Sequence, residues 1–213
     1  MSNEFGYETA DPNNIVVVEN FISKEHLQLA VEYCKTVDDW APKSSSNTDK
    51  ISPATTMKRD NIELYLIMCD YLDSAKMLIE YKFGRKVERA FPGLRRWDIG
   101  DRQDPHADGE TFDGIPTETY MDDYGSIIYL NDDYEGGEIR FPGYDITIKP
   151  PAGTFIFFPS STYYIHEVLP ITNGVRYTSP HFWVPVKHNV LVKMTKELYE
   201  TDLPHAYSEN IWD

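Results

Sequence analysis

Residues 127–159 have the sequence IIYLNDDYEGGEIRFPGYDITIKPPAGTFIFFP, in which short apolar runs alternate with turn signals. The turn signals are Gly136-Gly137, Pro142-Gly143 and Pro151-Ala152-Gly153. Apolar runs bounded by Gly and Pro are typical of short β-strands. Extending the pattern in both directions predicts eight strands, near residues 94–99, 105–108, 126–131, 138–141, 145–149, 154–158, 164–169 and 175–185. Eight closely spaced strands with little helix between them predict a jelly roll, or double-stranded β-helix.

The chain before these strands carries helical patterns. Ser23 is a suitable N-cap, and Leu27, Ala30 and Cys34 follow at helical spacing, which predicts a helix that ends near Val37.

A second helix is predicted from about Asp60 to Lys82, with Gly84 as its stop. Residues 14–18 predict a short buried strand, and residues 41–59 a loop that could include a short strand.

The predicted fold class is therefore mainly β (α+β), with N-terminal helices packed on one face of the β core. We expect residues 1–92 to supply a strand and supporting helices within the same domain as the core at residues 93–186. Residues 187–213 would form a C-terminal tail.

The composition is acidic, with 20 Lys and Arg against 35 Asp and Glu and a formal net charge of -15. A field of that sign repels phosphate groups, so we expect neither nucleic acid nor an anionic membrane as a partner. Cys34 and Cys69 are too few for a disulfide framework and are expected to be buried thiols. The N-terminus has no signal-peptide pattern, and no apolar run reaches the roughly 20 residues of a membrane span. We therefore expect a soluble protein, cytoplasmic or otherwise intracellular.

The triplet His106-Ala107-Asp108 is the first candidate for a metal site. Alternate residues of a strand project from one face, so His106 and Asp108 could reach the same ion from one strand. His166 lies on a later predicted strand that a jelly roll could bring beside them. Two imidazoles and one carboxylate form the facial triad of non-heme iron(II), which leaves coordination positions open.

A jelly roll without metal, such as a carbohydrate-binding module, is the main alternative, with His106 and His166 as core histidines. It does not explain an inward-facing Arg176, because a buried guanidinium without an anionic partner is costly. A cupin-type metal site would use more histidines in another spacing. The remaining histidines are expected to lie outside the site; they are His26, His181, His188 and His205.

Three blocks, taken together, resemble the prolyl 4-hydroxylase-like 2-oxoglutarate/iron(II) dioxygenases. They are RRWDIGDRQDPHAD at residues 95–108, IIYLNDDYEGGEIRFP at residues 127–142, and IKPPAGTFIFFPSSTYYIHEVLPITNGVRYTSPHFW at residues 148–183. The Pro-His-x-Asp, Tyr-Leu-Asn, Gly-Gly and Phe-Pro elements follow one another in the family's order.

The resemblance implies a role for each matching residue. His106, Asp108 and His166 match the iron ligands, and Arg176 matches the basic residue that pairs with the distal carboxylate of 2-oxoglutarate. The planar guanidinium suits that role, because it meets a carboxylate through two parallel hydrogen bonds. Tyr129 matches a tyrosine that contacts the same carboxylate.

Thr178 follows Arg176 by two residues, on the same side of the strand, and could donate a hydroxyl to the same carboxylate. Trp97 stands where many relatives carry Tyr, so a hydrogen bond to the cosubstrate would be lost or replaced by packing. Arg176 replaces the Lys of collagen-type members, and Arg102 replaces their Tyr, which puts a collagen-like substrate in doubt.

Strand parity adds a geometric expectation. A two-residue turn at Asn173-Gly174 would place Ile171 opposite Arg176, and His166 and Arg176 would then face opposite ways. Because both must point inward, we expect an odd-length loop or a bulge between Ile171 and Val175.

The resemblance implies iron(II), 2-oxoglutarate and dioxygen as cofactor and cosubstrates, with ascorbate as a reductant. It favours a prolyl residue in a peptide or protein as the substrate; a free amino acid or other small molecule is the alternative. Residues 41–59 and 109–124 are candidate substrate loops, and an acidic rim would favour a basic peptide. The acidic residues of the second loop, which could equally serve only to solvate it, are Glu110, Asp113, Glu118, Asp122 and Asp123.

Overall fold

The computed structural model describes residues 10–38, 40–42, 49–88, 90–112, 115 and 123–186. The α-helices are α1 (Lys24–Thr36), α2 (Ala54–Asp60) and α3 (Ile62–Phe83). The strands are β1 (Val16–Val18), β2 (Ala41–Pro42), β3 (Lys50–Ser52), β4 (Leu94–Trp97), β5 (Gln103–His106), β6 (Tyr124–Tyr129), β7 (Glu135–Gly136), β8 (Ile139–Phe141), β9 (Ile146–Ile148), β10 (Phe155–Pro159), β11 (His166–Val168), β12 (Ile171–Asn173) and β13 (Arg176–Trp183).

Two antiparallel sheets form the body of the protein. The main sheet has the strand order β1-β10-β6-β13-β4-β3-β2, and the second sheet has the order β5-β11-β8-β9. A two-stranded ladder joins β12 to β7. The mainly β jelly roll predicted from the sequence is confirmed, although the core carries β7 and β12 in addition to the predicted strands. The division of the chain at residues 92 and 186 stays a prediction.

The apolar run in β10 shows how the main sheet separates two cores. Phe155 and Phe157 belong to the large core beneath the helices, with Leu72 and Ile79 of α3. Ile156 and Phe158, which alternate with them, belong to a second core that includes Phe141 of β8. Because both faces of this strand are buried, it is apolar at successive positions rather than alternating.

The predicted helix ends are close to those observed. Ser23 caps α1, where its hydroxyl accepts a hydrogen bond from the backbone N–H of His26. Gly84 ends α3 in the left-handed conformation, with φ of 66°. α3 begins one residue after Asn61, whose side chain accepts from the N–H of Leu64.

The prediction of a loop through Arg59 is wrong for its last part, because Ala54–Asp60 form α2. The helix has no side-chain cap. It packs against α3 and buries Ala54 and Met57 in the core, so tertiary contacts rather than local sequence signals stabilise it. The same loop contains the short strands β2 and β3, whereas residues 43–48 lie outside the described residues.

The irregularity expected between Ile171 and Val175 is confirmed, but for a different reason. β12 pairs with β7 rather than with β13, and its register shifts between Ile171 and Asn173. His166 and Arg176 lie on strands of different sheets, so the chain crosses from one sheet to the other between them. Both side chains therefore point into the space between the sheets because the two sheets face each other, and not because their strands form a hairpin.

Two further expectations concern the cysteines and membrane-spanning helices. Cys34 and Cys69 are both buried free thiols, as predicted. Within the part of the chain that the structure describes, no helix combines the length and apolar character needed to cross a bilayer.

The buried His181 on β13 is expected to lower the stability of the folded protein in acid. It is 2% exposed, and its Nε2 lies 2.9 Å from Oγ of Ser179, which itself donates to the carbonyl of Gly93. Burial lowers the pKa of His181 to about 3. The folded state then excludes a proton that the unfolded chain binds below about pH 6.5, so stability falls as the pH drops from there toward about 3.

We expect this histidine to account for about 2 kcal/mol of the stability lost between about pH 7.5 and about pH 5. Urea unfolding of the wild type and of His181→Gln at the two pH values measures it. The variant should lose less stability than the wild type on acidification, and equal losses would contradict the expectation.

Candidate active site

His106 and His166 are brought together by strand pairing in the second sheet. They stand directly opposite each other on the antiparallel strands β5 and β11. Their ring centroids lie 4.3 Å apart. Side chains directly opposite on neighbouring antiparallel strands are close neighbours, so the sheet register itself juxtaposes the two imidazoles.

Asp108 completes the group from a position just beyond β5. The strand ends at His106, so the prediction that both residues project from one strand is wrong; the turn after the strand carries the carboxylate instead. Its Oδ1 lies 3.5 Å from Nε2 of His106 and 3.9 Å from Nε2 of His166. One ligand atom from each of the three residues lies within 4.8 Å of the others. Burial alone would raise the pKa of Asp108, but His166 and His106 outweigh it and hold the pKa below its usual range.

Backbone carbonyls orient both imidazoles. Nδ1 of His106 lies 2.9 Å from the carbonyl oxygen of Asp104, and Nδ1 of His166 lies 3.1 Å from that of Tyr164. If each Nδ1 carries the proton, each Nε2 keeps a lone pair for a metal ion. The amide of Gln103 lies 2.9 Å from Nε2 of His106, and a bound cation would take its place.

Gly125 on β6 leaves room for the carboxylate. A Cβ at this position would lie 2.4 Å from Oδ2 of Asp108 and 3.2 Å from the ring of Phe158. Since real Cβ atoms essentially never lie 2.4 Å from another heavy atom, any larger residue would displace the carboxylate or the strand.

We therefore expect Gly125→Ala to weaken divalent-cation binding by about 10- to 100-fold, the range typical when the support of a metal ligand is disturbed. Gly93→Ala is the matched control, because its Cβ would meet nothing closer than 3.9 Å. Calorimetric titration with Mn²⁺ measures both variants. Equal affinities for the two would mean that Gly125 does not shape the site.

Arg176 lies at the start of β13 and is 1% exposed. Its Cζ lies 4.8 Å from the ring centroid of Trp97 and 5.0 Å from that of Tyr129. Among the described residues, its Nε and Nη1 have no hydrogen-bond partner. A buried cation that packs on two aromatic rings and has no carboxylate partner among the described residues lacks the anion that normally compensates it.

Two buried hydroxyls surround the same guanidinium. The hydroxyl oxygens of Tyr129 and Tyr134 have no hydrogen-bond partner in the described part of the chain. Burial raises the pKa of Tyr134 to about 12, and the charge of Arg176 opposes that rise. Burial also raises the pKa of Tyr129 against the effect of Arg176, so both phenols stay protonated near neutral pH and can donate.

Trp97 and Thr178 form the adjoining wall. Nε1 of Trp97 donates to Oγ1 of Thr178 over 3.1 Å, and Thr178 stands opposite Tyr129 in the sheet. In place of the tyrosine that many relatives carry at this position, Trp97 packs over the guanidinium of Arg176 and donates a hydrogen bond to Thr178.

Sequence reasoning missed Tyr134 and Gly125. Tyr134 lies in the turn before Gly136, where the pattern gives no strand and therefore no inward direction. Gly125 precedes the run that identified β6, and its proximity to Asp108 depends on the facing of two sheets.

Several other predicted residues have structural roles. His26 contacts a helix residue: its Nδ1 lies 2.9 Å from the hydroxyl of Tyr71. Glu110 accepts from the N–H of Thr162, and Asp123 pairs with Arg85. The other acidic residues of that loop, and two histidines, lie outside the described residues; they are Asp113, Glu118, Asp122, His188 and His205.

The sequence profile of the 2OG-Fe(II) oxygenase superfamily matches residues 93–184. The matched residues, somewhat under half of the chain, are similar to that superfamily. The matched segment contains the three possible metal ligands. It also contains the guanidinium pocket, which Arg176 forms with Tyr129, Tyr134, Trp97 and Thr178.

Similar proteins include human prolyl 3-hydroxylase 2, which is 38% identical over 78 residues, or 34% of this chain and 11% of that protein. A PKHD-type hydroxylase of Sphingopyxis alaskensis is 28% identical over 140 residues, or 60% of this chain and 62% of that protein. The chain thus spans about a tenth of the first relative and under two thirds of the second.

Two solved structures share the fold. A prolyl-4-hydroxylase from Pseudomonas putida superposes with a TM-score of 0.66 and 18% identity, covering 81% of this chain and 93% of that one. A prolyl hydroxylase from Trichoplax adhaerens, in complex with a peptide fragment of the hypoxia inducible factor oxygen degradation domain, gives a TM-score of 0.63 at 18% identity. The matched regions are 84% of this chain and 87% of the Trichoplax chain.

Proposed function

We propose that this protein is a 2-oxoglutarate- and Fe(II)-dependent dioxygenase that hydroxylates a prolyl residue of a peptide or protein. Succinate and carbon dioxide would be the co-products. The observation that carries the proposal is the pairing of a two-histidine, one-carboxylate group with a buried guanidinium on the facing sheet, whose Nε and Nη1 have no hydrogen-bond partner among the described residues.

The donor set fits Fe(II). Two imidazoles and a carboxylate on one side of a cation leave the opposite side open for a cosubstrate and dioxygen. His106, Asp108 and His166 would hold the metal, and the two backbone carbonyls keep the imidazole rings in place. When bound, iron and 2-oxoglutarate together supply the oxidising chemistry; the protein supplies orientation and a dry pocket.

The guanidinium pocket fits the distal carboxylate of 2-oxoglutarate. Nε and Nη1 of Arg176 are adjacent donors of one fork, which match the two oxygens of a carboxylate. Tyr129 and Tyr134 would donate their hydroxyl protons to the same group, and Thr178 and Trp97 would close the wall beside it. Such an anion would give a partner to Nε and Nη1 of Arg176 and to the hydroxyls of Tyr129 and Tyr134, which have none among the described residues.

A prolyl substrate is supported by the relatives rather than by the metal group. Human prolyl 3-hydroxylase 2 and the two solved structures are prolyl hydroxylases, and the Trichoplax structure holds a peptide. Whether the peptide is basic depends on acidic residues that are paired, as Glu110 and Asp123 are, or lie outside the described residues.

Incubation of the purified protein with Fe(II), 2-oxoglutarate, ascorbate and a proline-containing peptide library tests the proposal. We expect succinate to form and at least one peptide to gain the mass of one oxygen atom at a proline. Succinate without any modified peptide, but with oxygen added to a free amino acid, would favour the small-molecule alternative. No succinate would contradict the dioxygenase itself.

A further inference from the structure

A second arginine lies on the same face of the main sheet as Arg176. Arg95 on β4 stands directly opposite Thr178, and Trp97 on the same strand stands opposite Arg176. Because side chains two residues apart in a strand share a face, Arg95 and Trp97 both face the second sheet. Arg95 thus occupies the side of the sheet that carries the cosubstrate pocket.

One edge of the Arg95 guanidinium is already paired with a carboxylate. Nη1 of Arg95 donates to Oδ2 of Asp49 over 3.1 Å, and the Asp49 side chain is 0% exposed. The Arg95 side chain keeps 10% of its surface exposed. Its other nitrogens donate to no side chain in the described part of the protein, in which Asp49 is its one hydrogen-bonding partner. The free edge is therefore available to a group that enters the pocket.

The charges of the pocket indicate what that group is. Two guanidiniums, of Arg95 and Arg176, and two carboxylates, of Asp49 and Asp108, sum to zero charge; Asp49 pairs directly with Arg95, and the charge of Asp108 also acts on Arg95. Under the proposed function, Fe(II) and the 2-oxoglutarate dianion also balance each other. A substrate carboxylate would add an unbalanced negative charge to a dry site, which is costly, whereas an amide carbonyl adds an acceptor without a charge.

We infer that Arg95 positions the substrate by donating to the carbonyl oxygen of an uncharged amide, so that the enzyme acts on residues within a peptide chain and not on free amino acids. This inference rests on the proposed function and specifies its substrate class. Arg95 is then a residue that determines specificity, and the buried Asp49 sets its preference for a neutral acceptor.

Arg95→Met and Arg96→Met form a matched pair of variants. Arg96 is the next residue of β4, faces the other way and pairs with Asp98. With N-acetylated, C-amidated peptides that contain one proline, we expect Arg95→Met to raise the peptide KM at least about tenfold, the value of a charge-assisted hydrogen bond. The KM for 2-oxoglutarate should change less than about twofold. A peptide KM for Arg95→Met equal to that of Arg96→Met would overturn the inference.

A binding measurement separates this inference from the proposed function. NMR titration of the Zn²⁺ and 2-oxoglutarate complex compares N-acetyl-L-proline methylamide with N-acetyl-L-proline, which carries a carboxylate. The wild type should bind the methylamide more tightly. Asp49→Asn removes the compensating charge, and we expect the ratio of carboxylate to methylamide affinity to rise at least about tenfold.

An Asp49→Asn ratio equal to that of the wild type, in a folded variant, would assign the ion pair a structural role only. Preference of the wild type for the carboxylate would also overturn the inference. Because this measurement needs no turnover, absence of succinate would contradict the proposed function while leaving the amide preference of Arg95 open to this test.

Discussion

Replacing Arg176 with Met is expected to lower the affinity for 2-oxoglutarate at least about 100-fold, because truncating one partner of a buried charge pair costs roughly 2–5 kcal/mol. The same substitution is expected to stabilise the protein without ligand. The guanidinium is 1% exposed, and its Nε and Nη1 have no partner among the described residues, so an apolar side chain of similar length removes a desolvation cost.

Calorimetric titration with 2-oxoglutarate in the presence of Mn²⁺ measures the affinity, and urea unfolding without ligand measures the stability. Arg140→Met is the control, because Arg140 pairs with Glu167 in the second sheet and lies outside the pocket. The control should keep the wild-type affinity. A destabilised Arg176→Met variant that still binds 2-oxoglutarate normally would show that the arginine has a structural partner instead.

Replacing His106 or Asp108 with Ala is expected to lower succinate formation more than about 100-fold, since loss of a ligand should exceed the 10- to 100-fold effect of disturbing a ligand's support. The two residues should have similar effects, because each supplies one of three ligand atoms. His26→Ala is the control, because His26 contacts Tyr71 at the helices. Succinate release and Mn²⁺ affinity should fall together in the two site variants. Unchanged turnover in either one would contradict the assignment of the metal group.

The sequence is sufficient to predict those parts of the fold that local patterns determine. Ser23 and Gly84 predict helix ends because capping depends on a few neighbouring residues. The helix Ala54–Asp60 was not predictable in this way, because its stability comes from burying Ala54 and Met57 against α3 rather than from its own caps.

The candidate site divides along the same line. Residue types and spacing predict His106, Asp108, His166 and Arg176, whose chemistry is characteristic in any fold. The side chains that shape the pocket depend on which strands face each other. The positions of Tyr134, in a turn, and of Arg95, in β4, relative to the site follow only from the arrangement of the two sheets. Arg95, for example, is buried against Asp49 because β3 and β4 pair although they are far apart in the chain.

A crystal structure of the protein with Mn²⁺ and 2-oxoglutarate, grown without oxygen, would show directly whether these residues hold the metal and the cosubstrate. We expect Mn²⁺ bound by Nε2 of His106 and His166 and by the carboxylate of Asp108, with the far end of 2-oxoglutarate against Nε and Nη1 of Arg176. A cation held by any other set of side chains, or a cosubstrate that leaves Arg176 unpaired, would contradict it.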